Sequence, residues 1–144
     1  DLEQRGIKLN YSNLVSPDTV VIADPEQMKK VINNIISNSV KYMDKPDGHI
    51  DIRILDEVDS IQVEIEDNGK GIAQKDLQKI FERFYRTDAS RNSAQGGSGI
   101  GLSIVKKIVE DHGGYVWATA KEGEGTCMHF VLRKYIELQP GGTK

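Results

Sequence analysis

The sequence predicts an α+β two-layer sandwich: a mixed β-sheet of about five or six strands with about three helices on one face. Two long segments, residues 25–42 and 100–112, space their apolar residues as helices do. Several short segments alternate apolar and polar residues at the period of a strand. Two pairs of those segments are joined closely enough to be hairpins, which excludes a purely parallel doubly wound sheet and leaves helices packed on a mixed one. The 144 residues suffice for a single domain with a real core, and 38% hydrophobic with 28% charged residues is an ordinary globular balance. The net charge of -3 argues against a nucleic-acid partner, which would call for a basic face. The single cysteine, Cys127, excludes an internal disulfide and fits a reducing compartment. No apolar run approaches the roughly 18 residues of a membrane span, so no membrane contact is expected of this chain itself.

Taken in order, Ile7, Leu9 and Tyr11 alternate with Lys8 and Asn10 as a short strand. A turn-rich loop from Ser12 to Asp18 leads to a second short strand, Thr19 to Ala23. Asp24-Pro25-Glu26-Gln27 opens the first helix: Asp24 can cap, Pro25 suits the first helical position, and Gln27 completes a capping-box-like pattern. On that helix Met28, Ile32, Ile35, Ile36 and Val40 make one broad apolar face, while Gln27, Asn34, Asn38, Lys41 and Tyr42 fall opposite it. After the turn Asp44 to Gly48, a hairpin runs from His49 to Val58 and from Ser60 to Glu66, one face buried and the other largely wet. The turn Asp67-Asn68-Gly69-Lys70-Gly71-Ile72 then leads into a short helix from Gln74 to Phe81. Residues Thr87 to Ser98 are small and polar and are expected to be mobile. The helix Ile100 to His112 ends at Gly113-Gly114, and a closing hairpin pairs Tyr115 to Ala120 with Gly125 to Lys134.

Several stretches carry more chemistry than a fold needs. Gln95-Gly96-Gly97-Ser98-Gly99-Ile100-Gly101-Leu102 is a glycine-rich loop that becomes a helix. Exposed N–H groups and the positive end of the helix dipole make such a junction a seat for phosphate, although a flexible linker would look the same. The outer face of the first helix holds asparagines, which are poor helix formers. Asn38 offers a neutral oxygen to a hard cation such as Mg²⁺, Lys41 a point charge to phosphate, and Tyr42 a ring to an aromatic base. A merely solvated face is the alternative. Asp67, at a strand end, can accept from an exocyclic amine, which suits adenine, while Gly69 and Gly71 would let backbone and Ile72 lie flat against a ring. An Asp-Asn-Gly turn with no ligand is again the plain alternative. Phe81, Phe84 and Tyr85 could be core, or could pin a lid whose Arg83 and Arg86 face phosphate. His49, His112 and His129 lack metal-ligand spacing, and structural roles are expected for all three.

Together these segments resemble the motifs of bacterial sensor histidine kinases. Asn34-Ile35-Ile36-Ser37-Asn38-Ser39-Val40-Lys41-Tyr42 resembles their N box, Asp67 to Ile72 their first glycine box, Phe81 to Arg86 their F box, and Gly97 to Leu102 their second glycine box. The four lie in the family's order and spacing, and the resemblance covers about Ile7 to Leu132. It implies the catalytic ATP-binding domain of that family, with the Bergerat-type fold shared by gyrase, Hsp90 and MutL-type ATPases, and ATP held with Mg²⁺. By motif position Asn38 would be the metal ligand and Asn34 its neighbour, Lys41 and Arg86 would meet phosphates, and Tyr42 the nucleoside. Asp67 would bind the adenine amine, Gly69, Gly71 and Ile72 would shape the adenine pocket, and Gly97, Gly99, Ile100, Gly101 and Leu102 the phosphate end. Residues 73–98 would form the ATP lid, 1–6 the remnant of a linker to an absent dimerisation and phosphoacceptor domain, and 137–144 a loose tail of one domain spanning 1–144. None of the three histidines is followed by Asp or Glu, so the phosphoacceptor is expected elsewhere in the same kinase. The implied setting is two-component signalling: a cytoplasmic domain of a membrane-anchored sensor, with a response regulator downstream. A hydrolysing ATPase, a nucleotide sensor without transfer and an anti-sigma type serine kinase share the fold, and the Phe81 to Arg86 box with its polar lid favours the histidine kinase.

Overall fold

The computed structural model describes residues 2, 4–83, 85 and 101–136. Five strands form one sheet: β1 (Lys8–Asn13), β2 (His49–Asp56), β3 (Ser60–Asp67), β4 (Val116–Lys121) and β5 (Gly125–Arg133). Among the described residues, three helices accompany them: α1 (Pro25–Lys41), α2 (Gln74–Leu77) and α3 (Gly101–Asp111). The strand order is β1-β2-β3-β5-β4, with β1 parallel to β2 and every other pairing antiparallel. This is the mixed sheet and α+β sandwich expected from the alternation of hairpins and helices.

Register explains the core. Ile52, Ile65, Met128 and Ala118 stand in one cross-strand row, and Ile54, Val63, Phe130 and Val116 in the next. These side chains share a face, because alternate residues of a strand point the same way. Val31 and Ile35 of α1, Val105, Ile108 and Val109 of α3, and Ile80 pack into the same cluster. The next row toward the end of the sheet is Ile50, Asp67, Thr126 and Ala120, so a carboxylate occupies a position on the core side. The opposite face is less wet than the hairpin pattern suggests. It carries the row Arg53, Glu64, His129 and Trp117, and Cys127 and Val131 are buried on it.

Helix α1 begins as its sequence dictates. Asp24 Oδ1 accepts from the N–H groups of Glu26 (2.9 Å) and Gln27 (3.3 Å), with Pro25 in the first turn. The return arm of a capping box is taken by another residue: the Asp24 N–H donates to His112 Nε2 (3.1 Å). His112 Nδ1 lies 2.8 Å from the carbonyl of Ile108, so the proton sits on Nδ1 and the ring ties the start of α1 to the end of α3.

Four expectations need correction. Thr19 to Ala23 is not a strand; Val21 forms a single bridge to Lys134, because the segment meets β5 only where that strand ends. The helix expected over Gln74 to Phe81 stops at Leu77. Tighter three-residue turns follow, with the N–H groups of Lys79 and Glu82 donating to Asp76 and Lys79, as Asp76 and Ile80 become buried. The buried face of α1 is centred on Val31, Ile35 and Ser39, rotated from the stripe that its large apolar residues suggest. Asn34 and Asn38 are consequently half-buried rather than on a wet outer face, because α3 packs along that side of α1. The outer face of the sheet, finally, is partly dry.

Candidate functional site

Three segments named from the sequence meet around α1. The first is the end of β3. Asp67 stands in the inner row beneath α1, and its Oδ1 accepts from the N–H groups of Gly69 (2.9 Å) and Thr126 (3.3 Å). The hydroxyl of Ser39, buried on α1, is a third donor. Burial pushes the Asp67 carboxyl above the ordinary value; the three donors oppose that shift, and the charge of Glu66 adds to it. A carboxylate has about four acceptor sites, so these donors leave capacity for one further amine or N–H.

The second segment is the turn that follows. The Gly71 φ is +75°, a left-handed conformation, and a side chain there would overlap the carbonyl of Lys121. At Gly69 an added Cβ would come within 2.8 Å of the Tyr42 carbonyl oxygen. The Asn68 amide fixes the turn to the start of β2, with Oδ1 accepting from His49 N–H (2.8 Å) and Nδ2 donating to Asp47 O (3.3 Å). Lys45 Nζ donates to the carbonyls of Asn68 (3.2 Å) and Gly69 (3.0 Å). Ile72 is half-buried against the core cluster, and Gln74 Nε2 reaches Ala120 O (3.1 Å).

The third is the polar side of α1 with the start of α3. Asn34 Nδ2 donates to Gly101 O (3.3 Å), joining the N-box helix to the opening residue of α3. Asn38 is half-buried one turn on, and Leu102 packs at the edge of the core. Lys41 and Tyr42 close α1, and the ammonium groups of Lys41 and Lys70 stand 5.6 and 5.7 Å from the Tyr42 ring centroid. The Lys70 N–H donates to Tyr42 O (3.2 Å), which holds the glycine turn against the helix end. Two cations therefore border an aromatic ring at the mouth of a site whose inner wall is a single carboxylate. Below it Phe81 packs on the core, and the Tyr85 hydroxyl bonds the carboxylate of buried Asp76.

The structure thus brings together Asn34, Asn38, Lys41, Tyr42, Asp67, Gly69, Gly71, Ile72, Gly101 and Leu102 around one helix. Phe84, Arg86, Gly97, Gly99 and Ile100, the part of the expected lid from residue 86 on and the expected tail 137–144 lie outside the described residues. Sequence reasoning missed Ser39 and Thr126 as partners of Asp67. A serine inside the apolar stripe of α1 was the available signal for the first; Thr126 needs the β3–β5 register.

Residues 23–136 match the family described as histidine kinase-, DNA gyrase B-, and HSP90-like ATPase. The chain is 41% identical over 122 residues to the sensor histidine kinase WalK of Bacillus subtilis, covering 83% of this chain and 20% of that protein. It therefore spans about a fifth of the length of that relative. Among solved structures it is similar to the mycobacterial sensor histidine kinase MprB, with a TM-score of 0.79 and 29% identity over 92% of this chain and 88% of that one. It is also similar to full-length ShkA in complex with AMPPNP, with a TM-score of 0.78 and 25% identity over 96% of this chain and 28% of that one. Among the described residues, no helix is long and apolar enough to cross a membrane.

Proposed function

The chain belongs to the histidine kinase-, DNA gyrase B-, and HSP90-like ATPase family, and on that premise we propose that it is the ATP-binding catalytic domain of a two-component sensor kinase. It holds Mg-ATP and donates the γ-phosphoryl group to a histidine on a separate dimerisation domain. The observation that carries this reading is Asp67: a carboxylate rooted in the inner row of the sheet, braced by Ser39, Gly69 and Thr126, with acceptor capacity left. That group takes the exocyclic amine of adenine, and the carbonyl of guanine at the same place is repelled by it. Likeness to sensor kinases, one of them solved with AMPPNP, supports the same choice of nucleotide.

The remaining roles rest on motif position. Tyr42 covers the nucleoside, and Gly69, Gly71 and Ile72 shape the adenine pocket. Lys41 meets phosphate, joined by Arg86 and by the glycine-rich segment that includes Gly97, Gly99 and Ile100 before Gly101 and Leu102. The Asn38 side-chain oxygen suits Mg²⁺, a hard cation that keeps most of its water and takes one or two protein oxygens beside substrate phosphate. When bound, the ion supplies neutralising charge to the phosphate oxygens. Transfer breaks the bond between the γ-phosphorus and the bridging oxygen of ADP. A lone pair of the histidine ring forms the new P–N bond, and ADP leaves with the electron pair. Positioning and charge carry such a reaction.

Hydrolysis needs a base to deprotonate water. Asn34 cannot serve at neutral pH, and its amide already donates to Gly101. The acidic group therefore comes with the phosphoacceptor helix, and this chain alone holds ATP largely intact. The parent protein is read as a membrane-anchored sensor with this domain on the cytoplasmic side and a response regulator downstream. Within it, the chain acts as one catalytic unit, with 73–98 as the ATP lid. The test is calorimetry with ATP and Mg²⁺, then labelled ATP with the chain alone and with a separately purified hairpin domain. Binding, slow turnover alone and transfer on adding the hairpin are expected. Absence of binding heat at millimolar nucleotide, rapid phosphate release by the chain alone, or labelling of His49, His112 or His129 would overturn the reading.

A further inference from the structure

The face of the sheet turned away from the helices carries a constellation that nucleotide binding does not use. Glu64 on β3 stands directly opposite His129 on β5, and Cys127 lies two residues before His129, so all three side chains share this outer face. A carboxylate oxygen of Glu64, Cys127 Sγ and a ring nitrogen of His129 all lie within 4.8 Å of one another. We propose that Glu64, Cys127 and His129 form a binding site for a divalent transition-metal ion of the zinc type.

The donor set fits that class. Thiolate, imidazole and carboxylate together are borderline-soft ligands, and three protein ligands with one open position is a common zinc arrangement. Calcium and magnesium take oxygen ligands and would leave the sulfur and nitrogen unused. The surroundings are those of a ligand shell already oriented. Thr119 Oγ1 lies 2.9 Å from His129 Nε2 and can accept its proton, which turns the lone pair of Nδ1 toward Glu64. Glu64 divides its oxygens: Oε1 accepts from Arg53 Nε (3.0 Å), while Oε2 lies 3.1 Å from His129 Nδ1 and accepts from Gln62 Nε2 (3.0 Å). The oxygen on the His129 side is thus the one free of Arg53. The Trp117 ring stacks flat on the imidazole at 4.9 Å and 4°, which fixes its plane. Both ligand-bearing strands are interior to the sheet, so the three donors are held on rigid backbone. Without metal, the same atoms make a plain histidine–glutamate contact. In that contact the ring proton lies on Nδ1 toward Glu64; on binding, the proton is held instead on Nε2 toward Thr119, the ion takes its place at Nδ1, and the thiol proton of Cys127 passes to bulk water.

The site reports on itself, because Trp117 is the sole tryptophan of the chain. Metal-free protein titrated with Zn²⁺ should change its tryptophan fluorescence with a stoichiometry of one. Co²⁺ should give the near-ultraviolet band of a thiolate–metal bond, displaced by Zn²⁺, with affinity in the micromolar range. Cys127→Ser should abolish that band, and His129→Gln and Glu64→Gln should each weaken Zn²⁺ binding by at least about 10-fold. His49→Gln, on a different strand, should leave it unchanged. Thermal melting of each variant establishes that it is folded, and three independent ligands keep the test open should one variant fail. A Co²⁺ spectrum without the thiolate band, binding weaker than millimolar, or equal loss in His49→Gln would overturn the proposal.

Discussion

Replacing Asp67 by asparagine separates the two things this residue does. The asparagine carbonyl can still accept from Gly69 and Thr126, so the end of β3 keeps its backbone bonds. What disappears is charge. Burial, the largest influence, holds the folded carboxyl above its ordinary value of 3.8 in spite of its donors. A carboxyl whose folded pKa is raised is protonated more readily in the native state than in the unfolded chain. Its contribution to stability is therefore greatest below 3.8 and is lost as pH rises through the raised value. At pH 7 the wild type bears that cost and Asp67→Asn does not, so the variant should melt no lower, and its relative gain should vanish near pH 3. Nucleotide binding should move the other way. A hydrogen bond to a charged acceptor contributes about 1.5–3 kcal/mol, so ATP should bind roughly 10- to 150-fold more weakly, with the preference over GTP lost. Scanning calorimetry at the two pH values and titration with both nucleotides give the four numbers needed. A variant that binds ATP within a few-fold of wild type would refute the assignment to adenine. A variant that melts well below wild type at pH 7 would refute the account of the buried charge.

Further outcomes follow from other contacts. Gly71→Ala should lower the denaturant midpoint by the equivalent of more than about 2 kcal/mol, since it joins a left-handed strain of about 1–2 kcal/mol to an overlap with Lys121; an unchanged midpoint would contradict the turn geometry. His112→Ala removes the acceptor of the Asp24 N–H and the ring donor, one of two donors, to the Ile108 carbonyl, and should destabilise by about 1–3 kcal/mol in urea unfolding, without changing nucleotide affinity in protein that remains folded. Burial, with the charges of Glu64 and Glu66 beside it, pushes the Cys127 thiol up to about 12. Alkylation at pH 7 should therefore be far slower in native than in guanidinium-unfolded chain, as mass spectrometry of the labelled protein would show.

What could be read from the sequence was what short stretches decide for themselves. The Asp24-Pro25 start of α1 and the Asp67 to Gly71 turn depend on residues within one or two turns of each other, and both formed where expected. Of the motif segments, residues 34–42 lie on α1 and its C-cap and residues 67–72 follow β3, each where its local pattern expects it. What escaped was decided by distant partners. Thr126 reaches Asp67 across 59 positions, and His112 reaches Asp24 across 88. The orientation of α1 does not follow from its large apolar residues alone, because Ser39 faces inward too: a hydroxyl with a buried partner is as much an inward-facing residue as an isoleucine. The helix expected through Phe81 has ordinary local propensity, and the burial of Asp76 and Ile80 overrode it.

Asp67 sits in a row of the folding core, between Ile50 and Thr126, and not on a loop. That placement constrains how the protein can change over generations. Loops drift because their substitutions rarely reach the fold, and new preferences arise there cheaply. A substitution at Asp67, at Ser39 above it or at Gly69 beside it is examined twice, once by the ligand and once by the packing of the sheet end. Lineages that alter the residue must first survive as folded chains. On the proposed assignment, the part of the site that takes the base is therefore expected to be inherited as conservatively as the core itself, while Lys70 at the mouth remains open to variation.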